Sequence, residues 1–226
     1  MSKETPNSLS RKKLRGEKIP ALTAYDFPMA SYIDQAGIDI VLVSDAVGTV
    51  GNGRGEAVSV TVDEMIYHTR SVRNGVSRSM VVTTLPFASY NTIDQGLETA
   101  SRIMKEGGAD GVHLEGTRHQ SQLVRSVVSA GIPVMGHVGI TKQKIVRSGS
   151  VRVQGRDADS ALGVINDALE MSKSGVFALL LECIPVRVVN IIARTVEVPT
   201  IGIGAGVGCD GQALVTQDML GLYKEL

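Results

Sequence analysis

The sequence contains no tryptophan, three phenylalanines and two cysteines in 226 residues. So few aromatics exclude a core built on large rings. Val, Ile, Leu and Ala must fill it instead, and 25 glycines let the elements approach closely. Cys183 and Cys209 share no CxxC or CxxH spacing, which excludes a disulfide framework and a structural zinc motif; buried or half-buried thiols are the plain reading. There is no excess of either charge: 23 Lys and Arg balance 23 Asp and Glu. Beyond the short Arg11-Lys12-Lys13 run no basic cluster stands out, so the footprint of a nucleic-acid binder is missing. The polar stretch Met1–Lys18 has no apolar h-region, and no later segment offers the roughly 18 uninterrupted apolar residues that span a bilayer, so a cytoplasmic protein is expected.

What is present is a repeating alternation of short apolar runs and amphipathic segments, the order that a βαβ chain requires. Strands are read at Ile19–Asp26, Asp39–Asp45, Ser79–Pro86, Gly111–Gly116, Pro133–Gly139, Ala178–Pro185 and Thr200–Gly206, with Leu214–Leu220 as an eighth. Helices lie between them. Pro28 opens one, and capping boxes at Thr61/Glu64 and Thr92/Gln95 open two more. Further helices are read around Leu123–Val128, at Ala161–Lys173 and at Val188–Val196, while Thr141–Arg156 is expected to be a long substrate loop or lid. The fold expected is α/β, a (β/α)8 TIM-type barrel in one domain over residues 1–226, with 1–17 a polar N-terminal segment and the last helix short or missing.

Barrel chemistry sits at the C-terminal ends of strands, and this places Asp45, Thr84, Glu115, His137 and Glu182 around one mouth, each from a different strand. His113 shares the face of Glu115, because side chains two apart in a strand point the same way. Plain readings compete: Asp45 as a loop cap, Glu115 paired with Arg118, His137 a satisfied polar group beneath a lid. Glu182 is harder to explain so. It ends the aliphatic run Ala178–Leu181, where partial desolvation favours a carboxylate that acts as a base. The glycine-rich Ile201–Gly206 either lets backbone approach an anion or serves tight packing.

These residues arrive in segments that resemble the ketopantoate hydroxymethyltransferase family: Thr23-Ala24-Tyr25-Asp26, Val43-Ser44-Asp45, Leu85-Pro86-Phe87, Leu114-Glu115-Gly116, Gly136-His137-Val138-Gly139, Val153-Gln154-Gly155-Arg156, Leu181-Glu182-Cys183-Ile184-Pro185 and Ile201-Gly202-Ile203-Gly204-Ala205-Gly206. The order is also the family's, from about Leu9 to Gly221. The resemblance implies a barrel akin to phosphoenolpyruvate mutase and isocitrate lyase, with Mg²⁺ holding a 2-oxo acid. It implies enolisation of 3-methyl-2-oxobutanoate and transfer of a hydroxymethyl group from 5,10-methylenetetrahydrofolate to give 2-dehydropantoate, a step of pantothenate biosynthesis. By motif, Glu182 and His137 are catalytic, with Glu182 the base; Asp45 and Glu115 are metal ligands; Asp45, Ala46, Thr84 and His113 contact substrate. A homo-oligomer, a decamer in bacterial members, is implied as well.

Three positions depart from the family pattern. Thr84 stands where a second metal-binding aspartate is found, His113 replaces a substrate-binding lysine, and Ala46 replaces a serine. A neutral hydroxyl is a poor Mg²⁺ ligand, so the resemblance implies a weakened site or one holding another divalent ion. Three readings stay open at this point: the hydroxymethyltransferase itself, a paralogue enolising, adding to or cleaving another 2-oxo acid, and an inactive ligand-binding or scaffold barrel.

Overall fold

The computed structural model describes residues 2–54 and 57–223. Its strands form a closed barrel in sequence order, β1 (Ile19–Thr23), β2 (Ile40–Val43), β3 (Met80–Thr84), β4 (Gly111–Glu115), β5 (Val134–Gly139), β6 (Ala178–Glu182), β7 (Thr200–Ile203) and β8 (Gly211–Leu214). The helices are α1 (Pro6–Arg15), α2 (Phe27–Gln35), α3 (Val62–Gly75), α4 (Ile93–Arg102), α5 (Ser121–Ser129), α6 (Lys142–Ser148), α7 (Ala158–Lys173), α8 (Val186–Thr195) and α9 (Thr216–Met219). The expected (β/α)8 barrel is therefore the fold.

The chain divides into two compact units. One comprises Met1–Thr5, Pro20–Val112 and Ala213–Leu226; the other comprises Pro6–Ile19 and His113–Gln212. In the first, β1, β2 and β3 pair in parallel, with Ala21 opposite Ile40 and Ile40 opposite Met80. Their apolar side chains, among them Val41, Val43 and Val81, pack against Ala30 and Ile33 of α2 and Met65 and Val72 of α3. The Thr61 capping box that opens α3 is complete; at α4 the Thr92 hydroxyl accepts from the Gln95 N–H, while the Gln95 amide reaches the Asn91 N–H instead of closing the box on Thr92. Asp34, near the end of α2, accepts hydrogen bonds from the backbone and hydroxyls of Ser77 and Ser79 and from the Arg78 N–H, tying α2 to the start of β3. Burial alone would raise the Asp34 pKa. The hydrogen bonds from Ser79 and Ser77 outweigh it and hold the carboxyl well below the usual range.

In the second unit β5, β6, β7 and β8 pair in parallel, with His137 opposite Leu180 and Gly139 opposite Glu182. Gly136 is turned toward α7 and its neighbourhood: a Cβ there would meet Met171 Cε at 3.0 Å and Leu179 Cδ2 at 3.1 Å. By the two-residue period of a strand, His137 and Gly139 therefore face the opposite side, together with Glu182. Gly139, at φ +117°, sits so close to β6 that a Cβ would lie 2.1 Å from the Glu182 carbonyl oxygen. Only glycine fits there.

Four elements differ from the sequence-based expectation. The polar N-terminal segment forms helix α1, anchored by the buried Leu9 and by Lys13, whose Nζ reaches the carbonyls of Val196 and Val198 at 3.0 and 2.8 Å and Asp210 at 3.2 Å. Expected loop Thr141–Arg156 holds α6, which Thr141 caps and Gly149 ends in a left-handed conformation. The eighth strand precedes its expected place: Gly211–Leu214 pairs with β7, and the expected run instead supplies the short α9. Gly211 explains the shift, since a Cβ there would lie 2.1 Å from the Ile19 carbonyl oxygen. At Ile201–Gly206 the packing reading is the one supported. A Cβ on Gly206 would strike Val186 Cγ2 at 2.4 Å, and one on Gly202 would meet Cys209 Sγ at 3.0 Å.

Candidate active site

Strand alternation dictates where each candidate points. In the first unit Thr83 turns its hydroxyl to Thr69 of α3, 2.9 Å away, so Thr84, the last residue of β3, faces the other way; it is buried. Asp45 is buried just beyond β2, and Ala46, half-buried, precedes a turn of π-helix at Val47–Gly51.

The second unit brings together His113, Glu115, His137 and Glu182, the candidates carried by β4, β5 and β6. His137 is buried between two carboxylates: its Nε2 lies 3.3 Å from Glu182 Oε2 and its Nδ1 3.8 Å from Glu115 Oε1. Neither contact has hydrogen-bond geometry, and both ring nitrogens lack a hydrogen-bond partner. His137 is thus no satisfied core histidine, since both buried ring nitrogens lack the partners that such groups ordinarily have. His113 stacks on it with ring centroids 5.1 Å apart. Burial first, and the neighbouring His137 second, push the His113 pKa down to about 3, so the imidazole is neutral and does not restore the charge of a lysine. Glu182 is the exposed member of the set, its side chain about 28% accessible. That is where a base that must meet substrate belongs.

Glu115 does not pair with Arg118. Its Oε2 accepts from the Lys142 backbone N–H at 2.7 Å and its Oε1 from Lys142 Nζ at 3.0 Å. Burial would raise the Glu115 pKa, but the Lys142 ammonium, His137 and the Lys142 N–H overcome it, so the carboxylate is ionised. Lys142 was not among the sequence candidates. The signal was there in Thr141, a helix cap just after the end of β5 that fixes the first residue of α6 over the strand ends. Lys144, also unanticipated, donates to the Gly139 carbonyl at 2.7 Å. Beside Glu115 opens a cavity of about 250 Å³ bounded by Thr117, Gln120, Thr141, Lys144 and Arg147.

A model of ketopantoate hydroxymethyltransferases matches residues 3–226. A 3-methyl-2-oxobutanoate hydroxymethyltransferase of Clostridium botulinum is 44% identical over 224 residues, 99% of this chain and 82% of that protein. The chain belongs to the ketopantoate hydroxymethyltransferase family. The same-named protein of Nitratidesulfovibrio vulgaris is 46% identical over 217 residues, 96% of this chain and 71% of its own length. Among solved structures, phosphoenolpyruvate phosphomutase of Streptomyces platensis superposes with a TM-score of 0.72 at 11% identity, covering 96% of this chain and 83% of its own. The 2,3-dimethylmalate lyase of the PEP mutase/isocitrate lyase superfamily gives 0.70 at 15% identity, over 96% and 81%. At such identity these two speak for the barrel alone.

Family membership raises the question of the divalent ion. Of the ligands that the resemblance implies, Asp45 and Glu115 are carboxylates of the kind that holds a hard divalent ion, and Thr84 is not. Both Glu115 oxygens are taken by Lys142, Thr84 offers a hydroxyl, and among the described residues no three His, Cys, Asp or Glu side chains are placed to hold one ion. No helix among the described residues is long and apolar enough to cross a membrane.

Proposed function

We propose that this protein is a hydroxymethyltransferase that enolises 3-methyl-2-oxobutanoate and adds a one-carbon unit from 5,10-methylenetetrahydrofolate, giving 2-dehydropantoate. Family membership supports the reaction, and one observation supports its assignment to residues: the half-exposed Glu182 carboxylate 3.3 Å from the buried His137 ring. Glu182 removes the proton at C3 of the 2-oxo acid, breaking the C–H bond and leaving an enolate. His137, behind it, stabilises the carboxylate before the transfer and can receive the proton afterwards, freeing Glu182. The enolate carbon then forms the new bond to the one-carbon unit, whose two C–N bonds to the folate break while water supplies the hydroxyl oxygen; tetrahydrofolate leaves with the protons returned to its nitrogens. A charged group must face the developing enolate oxygen, since a fixed charge placed where the new charge appears lowers such a barrier more than any other single device. Asp45, Ala46, Thr84 and His113 are proposed to contact the substrate, and a cytoplasmic homo-oligomer completes the reading.

The test is deuterium incorporation at C3 of 3-methyl-2-oxobutanoate in D₂O, followed by product formation with the folate. Exchange and product together support the reading. Absence of exchange under every metal condition removes it.

A further inference from the structure

The segment between β5 and α7 carries charge of one sign. Residues 141–156 hold five cations, Lys142, Lys144, Arg147, Arg152 and Arg156, and no Asp or Glu, in a chain whose charges balance overall. Lys142 belongs to Glu115. Arg54, Arg78 and Arg125 elsewhere pair with Glu64, Glu4 and Glu170, whereas neither Arg147 nor Arg152 forms an ion pair among the described residues, and both are exposed. With Lys144, Ser148 and Gln154 they line a cavity of about 380 Å³, and none of these described lining residues is acidic. Lys144 and Arg147 also bound the cavity beside Glu115, so the two spaces share a basic wall. Burial lowers the Lys144 pKa and Asp167, beyond ion-pair distance, opposes this, so a carboxylate arriving there meets a cation with little negative charge about it.

Both ends of this segment are tied to the strands that carry His137 and Glu182. Lys144 Nζ donates to the Gly139 carbonyl at the end of β5, at 2.7 Å. The Gln154 N–H donates at 2.8 Å to the carbonyl of Cys183, the residue after Glu182, and the Gln154 amide donates at 2.8 Å to the Arg152 carbonyl. Among the cations stand the exposed side chains of Val146, Val151 and Val153, so the surface is apolar as well as positive. A bare phosphate meets only the charges; a ligand with a ring body and terminal carboxylates meets the valines too. The co-substrate of the proposed function is of that kind, since a folate ends in an aminobenzoyl ring and a glutamate with two carboxylates. We propose that Lys144, Arg147 and Arg152 form the site for the glutamyl carboxylates of the folate, with the neighbouring valines against its aminobenzoyl ring. A guanidinium fork matches a carboxylate with paired donors, and three cations facing two carboxylates leave charge for a further γ-linked glutamate. The inference rests on the proposed function for the identity of the ligand, and its test needs no turnover.

The experiment is isothermal titration calorimetry, at one ionic strength, with tetrahydrofolate, its triglutamate and tetrahydropteroate, which lacks the glutamate. Wild type should bind the triglutamate most tightly and the pteroate most weakly, about tenfold or more apart, since exposed ion pairs contribute up to about fivefold each. Added salt should narrow that separation. In the double variant Arg147→Met, Arg152→Met all three ligands should bind within about threefold of the wild-type pteroate value, while Arg147→Lys with Arg152→Lys should keep the order. Melting curves establish that each variant is folded. Equal wild-type affinity for the three ligands overturns the tail site without any variant having to fold, and leaves the folate as donor. A folded methionine double variant that keeps the full preference overturns it as well. So does displacement of the triglutamate by about 1 mM inorganic phosphate at matched ionic strength, which assigns the cations to phosphate. No wild-type binding of any of the three overturns the site and removes the folate from the proposed function. If C3 exchange is absent but the order of affinities holds, the enolisation reading fails and the tail site stands.

Discussion

Replacing Glu182 by glutamine separates a base from a structural carboxylate. The change keeps shape and removes charge and proton affinity. The side chain is about 28% exposed at the end of β6, and its polar contact is the off-geometry approach to His137 at 3.3 Å, so folding should hardly register the loss. A change of this kind costs within about 1 kcal/mol, which moves the melting midpoint of a chain this long by no more than about 2–4 °C. Proton abstraction should register it fully: positioned general bases contribute about 10²- to 10⁴-fold, so C3 exchange should fall by that factor. Glu182→Asp adds a geometric control. It retains the carboxylate and withdraws it by about 1.5 Å, one carbon–carbon bond. A displacement of about 1 Å already costs on the order of 10²-fold, so aspartate should be impaired nearly as severely despite its charge. Exchange is followed by loss of the C3 proton resonance in D₂O, with melting curves run in parallel. A folded Glu182→Gln protein that exchanges within tenfold of wild type would falsify the assignment of Glu182 as base.

Three other outcomes follow from packing and charge. In the presence of chelator, Lys142→Met should destabilise by about 2–3 kcal/mol, below the full cost of a broken buried pair because the backbone N–H still holds Glu115, and should lower the melting midpoint by about 5–10 °C. Glu115→Gln combined with Lys142→Met should recover more than half of that loss; additivity within about 0.5 kcal/mol contradicts the coupling. Gly139→Ala should cost about 3 kcal/mol or more, since the position is left-handed and its Cβ would meet the Glu182 carbonyl at 2.1 Å, and surviving protein should exchange slowly because β6 carries the base; wild-type stability on a denaturant curve would show the close approach to be absent. Asp34→Asn should destabilise by about 2 kcal/mol at neutral pH through the donors at Ser77 that lose a charged acceptor. Because the Asp34 pKa is depressed in the fold, its contribution is complete above the unfolded value near 4 and is lost as pH falls through the folded value, so wild type and variant should converge in acid; a gap constant down to pH 2 contradicts this.

The barrel was legible because its signals are local and repeated: apolar runs of strand length, caps such as Thr61, and glycines at helix ends. Where the reading slipped, the deciding contact was distant in sequence. Nothing near Gly211 says that β8 must begin there; the reason is the Ile19 carbonyl pressed against it. The polar N-terminal stretch carries a single buried apolar residue, Leu9, too little periodicity to announce α1, and its anchors lie some 180 residues away. The site shows the same division. Strand alternation was enough to place His113 beside Glu115 and both near His137 and Glu182, but it could not say that the partner of Glu115 would be Lys142, for that depends on how α6 turns back after β5.

Helix α1 also bears on the order in which the molecule is assembled. Lys13 caps carbonyls at positions 193, 196 and 198 and meets Asp210, none of which exists when residues 6–15 leave the ribosome. Helix α1 must therefore wait for β7 and the residues after it before these anchors are present. Its polar, basic surface, with only Leu9 to hide, suits a segment that has to remain harmless during that delay.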